Sequence, residues 1–179
     1  MEMMDKVLIQ ATNDFSKAGY PLDAEAMLIV EMDGTNSEVD ELINKVANIS
    51  KQNKCSSMKI SKSEEERLKF WSGRKAAFPA CGEMAPDYYC MDGTIPRGKL
   101  SKVLKEITKL SKKYKLPVAN AFHAGDGNLH PIIMYDANDK IALAKTEKFG
   151  ADILKLCVKF GGVLSGEHGI GVEKRELMC

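Results

Sequence analysis

The sequence predicts an α+β fold, a ferredoxin-like antiparallel sheet covered by helices. Three observations lead there. The first hundred or so residues alternate helix-period segments with short apolar runs, which reads as two βαβ-like units. An Asp126-Gly127 pair sits between two further apolar runs and marks a β-hairpin. A long helix-period segment then closes on Gly161-Gly162.

Taken in order, Met4, Val7, Leu8, Ala11, Phe15 and Ala18 follow helical spacing until Gly19 and Pro21 stop it. Residues 26–32 read as a strand. Ser37 is the expected cap of a second helix with an apolar face of Val39, Leu42, Ile43, Val46 and Ile49. A short strand is expected over 57–60. Ser63-Glu-Glu-Glu66 is a capping-box signal for a helix that carries Trp71 and Arg74. Residues 89–95 read as a strand, and Leu100, Val103, Leu104, Ile107 and Leu110 mark the next helical face. The hairpin strands fall at 117–122 and 129–135, and the final helix at 141–160.

Composition fits one domain with one substantial core: 179 residues, 44% of them hydrophobic and 28% charged. A net charge of +1, without basic stretches interleaved with aromatics, gives no basis for nucleic-acid binding. No apolar run reaches the roughly 18 to 20 residues of a transmembrane segment, and Met1-Glu-Met-Met-Asp-Lys6 lacks a signal-peptide pattern. The cysteines at 55, 81, 90, 157 and 179 form no Cys-x-x-Cys pair, which argues against a thiolate zinc site or a disulfide framework and for a reducing compartment.

All three histidines lie in two glycine-rich stretches, His123-Ala-Gly-Asp-Gly-Asn-Leu-His130 and Ser165-Gly-Glu167-His168-Gly-Ile-Gly171. A two-residue turn at Asp126-Gly127 makes His123 and His130 direct cross-strand partners. Their Cβ atoms would then be about 4.5 to 5.5 Å apart, close enough for both imidazoles to reach one ion. Along an unbroken strand the same separation would put them on opposite faces. Glycines beside Glu167 and His168 free the backbone there, so both side chains can address one cavity. Glu167 is the expected third metal ligand and His168 a free base. Such a set leaves coordination positions open and accepts zinc, iron(II) or manganese. Gly-x-Gly-x-x-Gly, the P-loop pattern and the Gly-x-Ser-x-Gly elbow are all missing, which argues against a nucleotide cradle or a serine hydrolase. By pattern alone, Arg74 is an ordinary solvated helix residue.

These motifs, together with Trp71-Ser-Gly-Arg74-Lys75-Ala-Ala-Phe78-Pro79 and Asp87-Tyr-Tyr-Cys-Met-Asp-Gly-Thr-Ile-Pro96, resemble the C-terminal domain of FAD-linked 2-hydroxy acid oxidoreductases. That group contains glycolate oxidase flavin subunits, D-lactate dehydrogenases and D-2-hydroxyglutarate dehydrogenases, and the stretch from Trp71 through Pro96 looks most like the glycolate oxidase branch. The resemblance implies His123, His130 and Glu167 as ligands of a divalent metal, His168 as general base, and Arg74 as a contact for the substrate carboxylate. Relatives acting on larger diacids carry further polar residues where this chain has Phe78 and Cys90, so a small monocarboxylate such as glycolate or lactate is expected. The resemblance also implies FAD, bound mainly by an N-terminal domain of about 100 to 200 residues. Residues 1–179 would then be a single substrate and metal domain, a fragment lacking that flavin domain and a short C-terminal segment. An iron–sulfur partner subunit and a cytoplasmic location, peripheral to the membrane through such partners, are further implications. Without the flavin domain the chain is expected to be inactive alone. The competing expectation is a non-catalytic metal-binding or subunit-interaction module, and a third is a metal-dependent hydrolase.

Overall fold

A computed structural model describes residues 1–178. The sheet is built from β1 (Glu2–Asp5), β2 (Ala26–Ile29), β3 (Asp87–Cys90), β4 (Gly93–Thr94), β5 (Val118–His123) and β6 (Asn128–Tyr135). The helices are α1 (Lys6–Ser16), α2 (Asn36–Gln52), α3 (Glu64–Lys75), α4 (Ala77–Met84), α5 (Leu100–Tyr114) and α6 (Lys140–Lys159). Strand order is β2-β1-β5-β6-β3, with β4 also paired to β6. Every pairing is antiparallel, so this is the expected α+β sheet covered by helices. The βαβ-like reading of the connections is corrected: β1 and β2 flank α1 yet pair side by side and antiparallel.

The sheet is covered on both faces, and the period of two along each strand divides the core accordingly. Met4, Ala121, Ile132 and Met134 meet Leu8, Ile9, Ala77 and Cys81 of α1 and α4. Their chain neighbours Met3, Phe122 and Ile133 meet Val103, Ile107, Phe149 and Ile153 of α5 and α6. Two-sided burial explains why β6 reads as a nearly continuous apolar run.

Several local expectations are overturned for identifiable reasons. The first residues form strand β1 rather than the start of a helix. Met3 and Met4 satisfy either pattern, and Asp5 makes the switch by capping α1 through the Leu8 amide at 3.1 Å. The strand expected over 26–32 ends at Ile29, where its pairing with β1 ends. α2 is capped by Thr35, not Ser37: Glu38 reaches back to the Thr35 amide at 2.8 Å in a capping box. None of its apolar stripe is buried. Residues 57–60 form no strand. The strand expected over 89–95 is broken into β3 and β4 at Met91 and Asp92. The helix carrying Trp71 and Arg74, and the helices α5 and α6, lie where their periodicity places them.

The hairpin register also differs. The turn is a four-residue loop in which the Asp126 and Gly127 amides both donate to the His123 carbonyl at 3.0 Å. His123 therefore pairs with Asn128, and His130 with Ala121. Gly127, at φ +75°, presses its Cα against the chain just past β4, where a Cβ would lie 2.1 Å from the Ile95 carbonyl oxygen. The slip is by two residues, so both histidines keep the same face.

Cys55, Cys81, Cys90 and Cys157 are free, and Cys179 lies outside the described residues. Burial pushes the Cys90 and Cys157 thiols up to about 12 and that of Cys81 to about 11, which makes all three inert.

Phe149 is fully buried and stacks on Tyr114 with ring centroids 5.2 Å apart. Phe149→Ala is expected to cost about 3 to 5 kcal/mol through the cavity it leaves, read as a lower midpoint in urea unfolding.

Candidate metal and substrate site

The site is assembled on the sheet face covered by α1 and α4. His123 ends β5 and His130 lies within β6, diagonal neighbours whose rings meet edge to face at 5.2 Å. The loop after α6 brings Glu167 to them: its Oε1 is 3.0 Å from His130 Nε2 and 3.8 Å from His123 Nε2. His168 stacks on His130, with ring centroids 5.2 Å apart and planes within 15°. Its Nε2 lies 3.6 Å from Glu167 Oε1, beyond hydrogen-bond reach, and its side chain is 46% exposed.

What aims that loop is Asp92, a residue the sequence reading did not single out. Its fully buried carboxylate accepts the amides of Gly166 (3.1 Å), Glu167 (3.1 Å) and His168 (2.8 Å), the Ser165 hydroxyl (2.7 Å) and the buried Lys174 ammonium (3.1 Å). Three successive amides turned onto one anion throw the Glu167 and His168 side chains outward into the same cluster. Gly166 is needed there because a Cβ would strike the Asn128 side chain at 2.3 Å. Burial alone would raise the Asp92 pKa. The bonds from Ser165, His168, Lys174 and Glu167 outweigh it and hold the carboxyl well below the usual range.

The donor atoms of His123, His130 and Glu167 lie within 4.8 Å of one another. Asp92, His130 and His168 satisfy the same distance, but the Asp92 oxygens are already engaged by five donors. Burial lowers the His130 pKa, against the pull of Glu167, which favours the neutral imidazole that a metal requires. The buried Asn128 Oδ1, beside this loop, has no hydrogen-bond partner among the described residues. These donors fit a divalent cation.

Arg74, in the last turn of α3, is not the solvated residue its pattern suggests. Its side chain is 14% exposed, and its Nε (3.1 Å) and Nη2 (2.9 Å) face Glu2 Oε2. The Tyr20 hydroxyl accepts from the Arg74 amide at 3.1 Å and donates to the Phe70 carbonyl, fixing this end of α3. The second Glu2 oxygen accepts from His123 Nδ1 at 2.8 Å. The structure thus joins all five expected residues into one connected set and adds Glu2, Asp92 and Lys174. No spacing rule marks Glu2 or Lys174, whereas Asp92 lies within the Asp87–Pro96 segment that carries the family resemblance.

Fold and site together define an α+β domain with an open His-His-Glu donor cluster, a free histidine and a nearby arginine. The chain belongs to the FAD linked oxidases, C-terminal domain, whose profile matches residues 1–179. It is 53% identical over 179 residues to the glycolate oxidase subunit GlcD of Escherichia coli, covering 100% of this chain and 36% of that protein. The GlcD subunit of Bacillus subtilis is 31% identical, covering 97% and 37%. A probable mitochondrial D-lactate dehydrogenase of Danio rerio is 29% identical, covering 99% and 36%. The chain therefore spans little more than a third of these relatives. A solved 4-ethylphenol oxidase from Gulosibacter chungangensis shares the fold, with a TM-score of 0.60 at 11% identity over 98% of this chain and 40% of that one.

Asp92→Asn is expected to cost about 3 to 5 kcal/mol, because Lys174 is left as a buried, uncompensated charge. The Asp92 pKa is depressed on folding, so its contribution is complete above the unfolded value of about 3.9 and is lost as pH falls through the folded value. Denaturation curves should show a constant gap between wild type and variant from pH 7 to 5, and a narrowing gap below about pH 4.

Proposed function

We propose that this domain is the substrate- and metal-binding part of a flavin-dependent oxidoreductase that converts a small 2-hydroxy acid, glycolate or D-lactate, to the 2-oxo acid. The observation that carries this reading is the convergence of His123, His130 and Glu167 beside an unengaged His168 and an oriented Arg74. The names of the relatives, glycolate oxidase subunits and a D-lactate dehydrogenase, support the substrate class.

Oxidising a 2-hydroxy acid removes a proton from oxygen and a hydride from the adjacent carbon. Bound FAD would supply the hydride acceptor, held mainly by a domain outside this chain. A divalent metal, zinc, iron(II) or manganese, would be held by His123, His130 and Glu167 and would supply Lewis acidity toward the substrate hydroxyl. Arg74 presents its Nη1 edge to the substrate carboxylate while Glu2 holds its Nε and Nη2 side. His168 takes the hydroxyl proton at Nε2, which no hydrogen bond within the cluster occupies. Phe78, whose ring packs on Tyr88 with centroids 5.8 Å apart, stands where the resemblance puts a polar residue in relatives acting on larger diacids, which favours a monocarboxylate.

The domain works in this reading with an iron–sulfur partner subunit. The GlcD relatives are named as subunits, which supports a partner of some kind. No helix among the described residues is long and apolar enough to cross a membrane. The free cysteines support a reducing, cytoplasmic location.

In the full-length flavoprotein, His168→Gln should lower kcat for glycolate or D-lactate by about 10² to 10⁴-fold with bound metal unchanged. Metal loss in that variant would instead make His168 a ligand, and unaltered turnover would remove it from the mechanism.

A further inference from the structure

We propose that Glu2 is a positioning residue that orients the metal ligand His123 and the substrate-anchoring Arg74 together, an inference that rests on the function proposed above. β1 and β5 pair with Met3 opposite Phe122, so Glu2 stands one step further along, opposite His123 on the same sheet face. Its side chain is 11% exposed, and each of its oxygens has a different partner: Oε1 faces His123 Nδ1 at 2.8 Å, and Oε2 faces Arg74 Nε and Nη2 at 3.1 and 2.9 Å.

A carboxylate only accepts hydrogen bonds, so His123 must carry its proton on Nδ1. That tautomer leaves the Nε2 lone pair directed toward Glu167 and His130, the state a metal ligand needs. The same carboxylate fixes the guanidinium plane of Arg74 and leaves its other edge free. One side chain on β1 therefore sets both the charge geometry at the metal and the direction from which the substrate carboxylate is gripped. Neither the His123 imidazole nor the Arg74 guanidinium has another hydrogen-bond partner among the described residues.

The test uses zinc and the chain itself. Nitrogen-15 correlation spectra of the metal-free wild type should show His123 as the Nδ1–H tautomer. Titration against a competing chelator should show zinc bound about 10- to 100-fold more weakly by Glu2→Gln, with unchanged stoichiometry. Zinc binding by wild type with equal affinity in Glu2→Gln, or an Nε2–H tautomer of His123 in wild type, overturns the assignment of Glu2 and leaves the functional reading in place. Failure of wild type and variant alike to bind zinc overturns that reading, and the role of Glu2 with it. The tautomer measurement needs no variant, so instability of Glu2→Gln does not protect the proposal.

Discussion

The buried carboxylate of Asp92 holds the site together. A charge removed from water without partners is costly. Here it is compensated by Lys174, Ser165 and three consecutive backbone amides, all drawn from the segment after α6. The interaction ties the break between β3 and β4 to the Gly-Glu-His loop. Without that tie the loop would have only weak reasons to direct Glu167 and His168 toward the hairpin. The interruption of the strand at Met91 and Asp92 is thus part of the site's construction: a continuous strand would keep Asp92 in the ladder instead of under the loop.

The second constraint is the period of two in the β5–β6 hairpin. Because a strand's side chains alternate, any register that differs by an even number of residues keeps His123 and His130 on one face. Convergence of the histidines was therefore legible in the sequence although the turn was not. Asp126-Gly127 carries the local signal of a tight turn, but the loop has four residues, with Gly127 packed against the Ile95 carbonyl just past β4. Tertiary contacts of this kind leave no mark in a local window. The same holds for β1, where Met3 and Met4 suit a helix or a two-sided strand and only the pairing with β2 and β5 decides. Ser37 lost the capping role to Thr35 because Glu38 completes a box with the earlier residue.

The histidines stand out as an uncommon residue type in glycine-rich surroundings and point to Glu167 beside one of them, Arg74 enters only through the family resemblance, and the missed residues are common charged ones. Glu2, Asp92 and Lys174 do their work through position: each is buried, and each binds residues 70 or more positions away. Arg74 shows the same principle from the other side, since its helical pattern suggests solvent and its pairing with Glu2 takes it out of solvent. The resulting arrangement has a chemical logic. The His130 imidazole is kept neutral by burial, the Asp92 anion lies beneath the loop, and His168 remains open to whatever enters. In the proposed function, such a layout would separate the groups that hold a cation from the group that moves a proton.

The central claim is that the hairpin and the Gly-Glu-His loop form one metal site. Its most direct test is elemental mass spectrometry of chelator-free protein, wild type beside His123→Ala. The account predicts about one equivalent of a divalent transition metal per wild-type chain and a large loss in the variant. Equal metal content in the two proteins, or none in either, would contradict it.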